Sequence, residues 1–330
     1  MNDLKLTLVV HVAGRVFVAA VLLLATTYVL QLDDSLQPAS VPAPKASVEI
    51  APILVAQAAT SGREYFISRH EVVPVGTQAI RLPILMYHYI RRPPSMRTDM
   101  LGYKLSVSPE DFRTQMDWLY LNGYHAVNFN QVRAYFEGAR ALPSRPIVIT
   151  FDDGYEDVYT TAFPILQTHG FTAVSYIVTG FVGRPAYVSR EQVLEMDRAG
   201  IEIGSHTVDH ANLARMSFGS TTYQVLQSKR LLEEMLGHQV VDFAYPSGQF
   251  NGQTMAAVRQ AGYDTAVTTA VSVTHSVIDR YAWGRVRVGG GESLEEFISN
   301  LGVSMPSVTI TTVDVEPLPV YPEHKARLGA

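Results

Sequence analysis

The sequence predicts an α/β fold with a mostly parallel sheet, either open or closed into a barrel. Short apolar runs alternate with segments of helical periodicity over most of the chain, and strands that alternate with helices usually form a parallel sheet. The 330 residues, of which 47% are hydrophobic, are enough for one main domain with a substantial core.

The first predicted strand and helix show the two periodicities most clearly. The strand is LPILMYHYI, residues 82–90. The helix at 109–122 follows Ser108, a good N-cap, and repeats apolar residues every three or four positions. Gly123 ends it.

The remaining predicted elements continue the alternation. In chain order they are strand 125–129, helix 130–137, strand 145–150, helix 158–169, strand 172–178, helix 191–199, strand 201–206, helix 221–236, strand 240–246, helix 254–261 and strand 264–269. In this architecture functional residues collect at the carboxyl ends of the strands.

The N-terminal segment is predicted to anchor the chain in a membrane. Residues 16–30 carry no charge, and the apolar residues before Arg15 extend the segment to roughly 25 residues, enough to cross the hydrocarbon layer. Lys5 and Arg15 precede the segment and Asp33 and Asp34 follow it, which predicts a body facing the periplasm or the exterior. A cleaved signal peptide and a buried core helix are the alternatives.

These features divide the chain into four predicted segments. A cytoplasmic stub and transmembrane signal-anchor cover residues 1–31, and a linker rich in Pro and Ala covers 32–80. The catalytic domain is expected at 81–302. Residues 303–330 form a tail in which Pro recurs and helical periodicity is lost.

Charge and cysteine content exclude some function classes. The formal net charge is −5, without long runs of Lys or Arg, so the chain lacks the basic footprint of a nucleic-acid-binding protein. There is no cysteine, so any metal must be held by His, Asp or Glu.

Paired acids follow one of the buried strands. Asp152 and Asp153 come directly after the strand RPIVITF and before Gly154. A solvated turn would explain them. However, side-chain alternation lapses where a strand exits into a turn, so both carboxylates can point into one cleft. Their position at a strand end favours a functional role.

Two histidines follow another strand. His206 and His210 are four residues apart, and on one helical turn that spacing lets two imidazoles hold one metal ion. A capping role is the alternative. Together with a carboxylate from a neighbouring strand end, they provide the three protein ligands that leave a catalytic zinc an open position.

A third candidate is the loop FAYPSGQF, residues 243–250. Pro246 and Gly248 favour an irregular backbone, in which a free N–H at Ser247 could face a developing oxyanion. A purely structural turn is the alternative.

The motifs TFDDG, SHTVDH and YPSG, in this order and at these separations, resemble the polysaccharide deacetylases of carbohydrate esterase family 4, the NodB homology group. The resemblance runs from about Leu82 to Leu301. The strand LPILMYHYI further resembles the exported poly-N-acetylglucosamine deacetylases. This resemblance implies a distorted (β/α) barrel of the NodB type, preceded here by the predicted membrane-anchor helix.

The resemblance also implies the roles of the motif residues. Asp153, His206 and His210 would bind one divalent metal, and Asp152 would be the general base. Zinc is favoured, with cobalt or nickel as alternatives, since Asp and His suit all three. Tyr245 and Pro246, with Ser247, would lie at the oxyanion or substrate side.

Two further catalytic residues are expected where the chain departs from the family pattern. The arginine that many members carry in the third motif is missing from FAYPSG; Arg285 is favoured over Arg287 as the partner of the base, with a solvated strand-edge charge as the alternative. The later Leu-x-His motif has no match. His88 is favoured over His275, which lies in a polar stretch, as the proton donor, with a structural or substrate-binding role as the alternative.

The predicted function is metal-dependent removal of N-acetyl groups from an N-acetylglucosamine polysaccharide. An exopolysaccharide of the poly-N-acetylglucosamine type is favoured, and peptidoglycan and chitin oligomers are alternatives. A carbohydrate-binding protein without turnover and a metal-dependent phosphoesterase are the competing classes. Four aromatic side chains could stack on sugar rings or pack in the core, and they are Tyr87, Tyr89, Tyr155 and Trp283.

Overall fold

The computed structural model describes residues 79–302 and, before them, only the backbone of residues 7–12 and 15–20. Residues 7–12 and 15–20 form an antiparallel pair of strands, β1 (Thr7–Val12) and β2 (Arg15–Ala20). The rest of the predicted anchor lies outside the described residues, so the anchor stays a prediction. Within the part described, no helix is both long and apolar enough to cross a membrane.

Residues 79–302 alternate strands and helices as the sequence predicts. The strands are β3 (Ala79–Arg81), β4 (Ile84–Tyr87), β5 (Tyr89–Ile90), β6 (Ser106–Val107), β7 (His125–Ala126), β8 (Pro146–Phe151), β9 (Val174–Ile177), β10 (Glu202–Ser205), β11 (Asp242–Ala244), β12 (Thr265–Val267), β13 (Thr274–Ser276) and β14 (Val286–Arg287). The α-helices are α1 (Met100–Leu105), α2 (Pro109–Leu121), α3 (Phe129–Phe136), α4 (Phe163–His169), α5 (Arg190–Arg198), α6 (Phe218–Leu236), α7 (Gly252–Gln260) and α8 (Leu294–Asn300). Short 3₁₀ turns lie at Thr179–Phe181, Leu213–Arg215 and Pro246–Gly248.

The central sheet is parallel, and its order is β14, β4, β8, β9, β10, β11, β12, with β7 also pairing with β8. The segment before β14 links the two edges, because Trp283 pairs with Val267 at one edge while Val286 pairs with Leu85 at the other. The sheet therefore curls. An α/β fold with a mostly parallel sheet is confirmed for the described residues, and the carboxyl ends of the strands meet at one end of this sheet.

The predicted helix 158–169 begins with a π-helical turn, Val158–Ala162, before α4. Pro164 lies inside this stretch and has no N–H, so the normal bond to the carbonyl four residues earlier cannot form. The N–H of Phe163 instead bonds the Val158 carbonyl. Of the helices that follow a recognisable cap, α2, α3, α5 and α7 lie within two residues of their predicted bounds. Helix α6 begins three residues earlier than predicted, and α1 and α8 were not predicted.

His275 does not lie in a polar loop, as the sequence suggested. It belongs to β13, which pairs with β3, and its side chain is buried 5.7 Å from the Trp283 ring. Burial lowers the pKa of His275 to about 4. Side chains alternate between the two faces of β13, and His275 lies on the face opposite to Thr274 and Ser276. The imidazole therefore points inward.

The wild-type protein is expected to lose stability at mildly acidic pH, and replacing His275 with Leu is expected to reduce this loss. The folded-state pKa near 4 lies below the unfolded value near 6.5, so the unfolded chain takes up the proton first. The wild-type free energy of unfolding should therefore fall as pH drops from 7 to 5, by about 2 kcal/mol from this group. Denaturant unfolding at both pH values checks this. An equal fall in His275→Leu would contradict it.

Candidate active site

The two neighbouring carboxylates lie where β8 ends. All of β8 is buried, and the N–H of Asp152 continues its pairing by donating to the Tyr87 carbonyl at 3.0 Å. The chain then turns sharply, because Asp153 and Gly154 have φ values of 74° and 77°, in the left-handed region that Asp and Gly tolerate. This turn directs the two acids to different partners.

Asp152 is held by Arg285. The guanidinium donates from Nη1 to Oδ1 and from Nη2 to Oδ2, both at 2.7 Å. Arg285 is fully buried and Asp152 is 3% exposed, so this is a desolvated two-point pair and not a solvated strand-edge charge. Burial alone would raise the pKa of Asp152, but Arg285 holds it well below its usual range. Asp152 is therefore ionised at neutral pH.

Arg285 is itself fixed on two other sides. Its Nε donates to the Thr268 carbonyl at 2.9 Å, and its Nη1 also donates to Thr150 Oγ1 at 2.9 Å. The Thr150 hydroxyl in turn donates to the Leu85 carbonyl at 2.6 Å. Groups of β8, of β4 and of the residue directly after β12 thus set the direction of the guanidinium, and no motif in the sequence signals this arrangement.

Asp153 faces the two histidines. Its Oδ1 lies 3.4 Å from His206 Nε2 and 3.3 Å from His210 Nε2, and the three ligand atoms lie within 4.8 Å of one another. His206 is buried, and its Nδ1 lies 2.7 Å from the Ala244 carbonyl. That carbonyl can only accept, so the proton is on Nδ1 and the lone pair of Nε2 points towards Asp153.

The histidines do not lie on a helical turn, which corrects the geometry expected from their spacing. Residues 206–210 form an irregular turn after β10, with Thr207 at φ 70° and His210 at φ 60°. The N–H of His210 is bonded to Thr207 Oγ1 at 3.0 Å. The i, i+4 spacing still brings both rings to one point, with centroids 5.0 Å apart, because the two left-handed residues fold the backbone back.

Gln224 of α6 accepts hydrogen bonds from the backbone of this turn. Sequence reasoning missed this residue. Its Oε1 accepts from the N–H groups of Val208 at 3.0 Å and Asp209 at 3.3 Å, and the side chain is buried. A polar residue at a helix position that faces the core was the only available signal.

Replacing Gln224 with Ala is expected to weaken metal binding about 10–100-fold, the usual cost of losing a group that orients the ligands. The two N–H groups would lose their acceptor, and the His210 side of the turn would loosen. Gln224→Glu keeps the acceptor oxygen and is the matched control. Chelator competition measures the affinities; equal affinity in Gln224→Ala and wild type would rule out this role.

The cluster fits a divalent cation. Asp153 Oδ1 is buried and has no hydrogen-bond partner in the described part of the chain, which is costly unless something binds it. Burial lowers the pKa of His206, but the nearby Asp153 and Asp152 carboxylates raise it overall, so the site attracts positive charge. One carboxylate and two imidazoles are the ligand types of catalytic zinc.

His88 lies beside Asp152. It follows β4 and is 9% exposed, and its Nε2 is 3.9 Å from Asp152 Oδ2. Its Nδ1 is buried without a partner among the described residues. Burial lowers the pKa of His88, while the two aspartates oppose that effect. The structure thus brings His88, Asp152, Arg285 and the three ligand candidates together.

The YPSG loop contributes less than expected. The N–H of Tyr245 is used in pairing with the Val267 carbonyl, and its hydroxyl donates to the Tyr281 carbonyl. Tyr245 and Pro246 are buried, so neither presents a free polar group. Ser247 is exposed with φ 54°, and its N–H makes no hydrogen bond within residues 79–302. Among the residues of this loop, Ser247 is therefore the one whose N–H is free to donate.

The aromatic candidates separate into two pairs. Tyr87 and Trp283 are fully buried and hydrogen-bonded to Gln115 and the Ser276 carbonyl, so they belong to the core. Tyr89 and Tyr155 are half-buried and stack on each other with centroids 3.9 Å apart.

Sequence comparison finds relatives that are named as polysaccharide deacetylases. Residues 139–266 match the polysaccharide deacetylase family. YxkH of Bacillus subtilis (strain 168), classed among the polysaccharide deacetylases, is 33% identical over 217 residues, which are 66% of this chain and 75% of that protein. The poly-beta-1,6-N-acetyl-D-glucosamine N-deacetylase of Escherichia coli (strain K12) is 28% identical over 241 residues, 60% of this chain but only 36% of that enzyme.

Solved structures are also similar to this chain. The Streptococcus pyogenes deacetylase PplD in complex with acetate superposes with a TM-score of 0.62 at 27% identity, covering 67% of this chain and 98% of that one. IcaB from Ammonifex degensii gives a TM-score of 0.59 at 27% identity, covering 67% and 97%. The family match at residues 139–266 includes both the two carboxylates and the two histidines.

Proposed function

The chain belongs to the polysaccharide deacetylase family, and from this membership we propose that it is a metal-dependent hydrolase that removes N-acetyl groups from an N-acetylglucosamine polysaccharide. The observation that carries the proposal is the division of labour between two adjacent acids. Asp153 faces His206 and His210, whereas Asp152 is turned away to Arg285. Asp153 is thus available to bind a cation, and Asp152 is available to take up a proton.

The proposed roles follow from this geometry. Lewis acidity towards a carbonyl or a water is the chemistry that a divalent cation supplies when Asp153, His206 and His210 hold it. Asp152 takes the proton of the attacking water at a carboxylate oxygen, and Arg285 keeps that carboxylate oriented and ionised. Hydrolysis of the amide gives acetate and an amine.

Two other groups complete the proposal. His88 Nε2 donates a proton to the departing amine, a role supported by its 3.9 Å separation from Asp152 and by the two aspartates, which favour its protonated form. The N–H of Ser247, exposed and unpaired within the described residues, faces the oxygen on which negative charge develops. Tyr245 and Pro246 shape the loop that presents it.

The substrate we propose is an exopolysaccharide of the poly-N-acetylglucosamine type. The MYHYI and YPSG variants support it, as does similarity to a relative named for poly-beta-1,6-N-acetyl-D-glucosamine. The chain covers only part of that enzyme, and peptidoglycan and chitin oligomers are the alternatives. Zinc is the proposed metal, with cobalt or nickel also compatible with these ligands. We further propose an N-terminal anchor that holds the catalytic domain in the periplasm or outside the cell.

The test is acetate release by the full chain from poly-beta-1,6-N-acetylglucosamine, chitin oligomers and peptidoglycan. Release is expected from the first polymer, with loss on chelation and recovery when zinc is restored. Metal content of the purified protein is measured in parallel. Glycan binding without acetate release would instead support the non-catalytic carbohydrate-binding alternative.

A further inference from the structure

The histidine turn, residues 206–210, lies against the loop that follows β9. The N–H of Thr179 donates to the Thr207 carbonyl at 3.1 Å, and the N–H of Gly180 donates to the Val208 carbonyl at 2.7 Å. Both donors belong to the short 3₁₀ turn of that loop. The loop after β9 therefore fixes two successive carbonyl groups of the histidine turn.

Gly180 approaches the histidine turn more closely than a residue with a side chain could. A methyl group on its Cα would lie 2.5 Å from the Val208 carbonyl oxygen, well inside van der Waals contact. The φ of Gly180 is not in the left-handed region, so the backbone conformation itself would accept alanine. The requirement for glycine at this position is therefore one of space.

Val208 is held on two sides. Its carbonyl accepts from Gly180, and its N–H donates to Gln224 Oε1 at 3.0 Å. Gln224 belongs to α6 and Gly180 follows β9, so two separate elements hold the histidine turn between them. A group that displaces the Val208 carbonyl therefore moves the backbone that leads to His210, two residues later.

The two histidines differ in how much support they have outside the turn. The N–H of His206 donates to the Ile177 carbonyl at 2.9 Å, its Nδ1 lies 2.7 Å from the Ala244 carbonyl, and its side chain is 1% exposed. The side chain of His210 is 35% exposed, and its N–H donates to Thr207 within the turn itself. Displacement of the turn should therefore move His210 and leave His206 in place.

We propose that Gly180 is a positioning residue of the metal site, because its lack of a side chain lets the loop after β9 fix His210 opposite Asp153. The inference rests on the proposed function, since it requires that the cluster binds a divalent cation. Gly180 contacts neither the cation nor the substrate and acts through the histidine turn. It determines whether three protein ligands or two reach the cation.

Replacing Gly180 with Ala is expected to lower the zinc affinity about 10–100-fold, the usual cost of disturbing a group that orients a metal ligand. Chelator competition on the purified full chain measures this affinity. Cobalt(II) gives a second readout, because loss of a histidine ligand changes the coordination geometry and therefore the visible absorption of the bound ion. A zinc affinity and a cobalt spectrum equal to those of wild type would overturn the proposal.

A second variant disturbs the same contact without adding a side chain at residue 180. Thr179→Pro removes the N–H that donates to the Thr207 carbonyl, at the first position of the 3₁₀ turn, where proline is tolerated. Its zinc affinity should also fall. If Gly180→Ala cannot be purified in a folded state, this variant decides: a lower affinity supports the proposal, and an affinity equal to wild type overturns it.

Two glycines provide matched controls. A methyl group at Gly289 would lie 2.3 Å from the Lys104 carbonyl oxygen, a comparable clash in the loop after β14, whereas a methyl group at Gly219 would have no atom within 4 Å. In denaturant unfolding without metal, Gly289→Ala should lose stability as Gly180→Ala does, but both controls should keep the zinc affinity of wild type. Equal losses of affinity in Gly180→Ala and Gly289→Ala would overturn the specific role of Gly180.

A double-mutant cycle tests whether Gly180 acts through His210. Zinc affinity is measured for wild type, Gly180→Ala, His210→Ala and the double variant. If Gly180 positions His210, its replacement should have little further effect once the imidazole is gone, whereas independent losses that multiply would overturn this route. A wild type that binds neither zinc nor cobalt would end the metal-dependent function itself. A wild type that binds metal, with Gly180→Ala unaffected, would contradict only the role of Gly180.

Discussion

Replacing Asp152 with Asn is expected to lower the rate of acetate release about 10²–10⁴-fold, the usual contribution of a general base, while the metal stays bound. The amide keeps the size of the carboxylate but cannot take a proton from water. The three ligand candidates are untouched, because Asp152 is held by Arg285 and not by the histidines. Acetate assay and metal analysis of the same purified sample check both parts.

Asp153→Asn is the matched comparison, one residue away. Its Oδ1 faces both His206 and His210, so we expect this variant to lose metal and activity together. Adding excess zinc should restore part of the activity of Asp153→Asn and none of that of Asp152→Asn. Loss of metal in Asp152→Asn, or full activity in either variant, would contradict the assignment of the two acids.

Replacing Arg285 with Met should produce the largest loss of stability. It leaves the Asp152 carboxylate, 3% exposed, without its partner, and removing one member of a buried ion pair typically costs about 3–5 kcal/mol. Acetate release should fall as well, since the base loses its orientation and the main group that opposes the rise of its pKa on burial is gone. Denaturant unfolding and the acetate assay measure the two effects.

A double variant distinguishes the pair from a general packing defect. In Arg285→Met combined with Asp152→Asn, no uncompensated charge remains buried, so most of the lost stability should return while activity stays low. Arg287→Met is the control two residues away, because Arg287 has no hydrogen bond to Asp152 within the described residues. If the double variant is as unstable as Arg285→Met alone, the pairing explains little of the stability.

Most elements between β4 and β12 could be predicted because their strands are short apolar runs and most of their helices begin at a Ser or Asn cap. The elements that were not predicted include β3, β13, β14, α1 and α8. The paired acids and histidines could be found because each pair is adjacent or four residues apart in the chain. Spacing gave no such signal for residues that act across the fold, and only the family resemblance pointed to Arg285. Arg285 meets Asp152 across 133 positions, and Gln224 reaches the turn at Val208 from another helix.

Residue spacing also could not predict the local backbone geometry of the site. The interval between His206 and His210 suits a helix, but two left-handed residues, Thr207 and His210 itself, produce the same convergence from a turn. Likewise, Tyr245 and Pro246 are in the predicted loop, yet their polar groups are used internally or absent. Which groups remain free depends on tertiary contacts.

The segment that joins the two edges of the sheet also carries the partner of the base. Trp283 pairs with β12, Val286 pairs with β4, and Arg285 between them reaches Asp152. We therefore expect hydrolytic competence to be acquired late in biosynthesis, because a chain that stops short of residue 285 lacks the group that orients the proposed base. An emerging or truncated polypeptide is expected to stay inert until its architecture is complete.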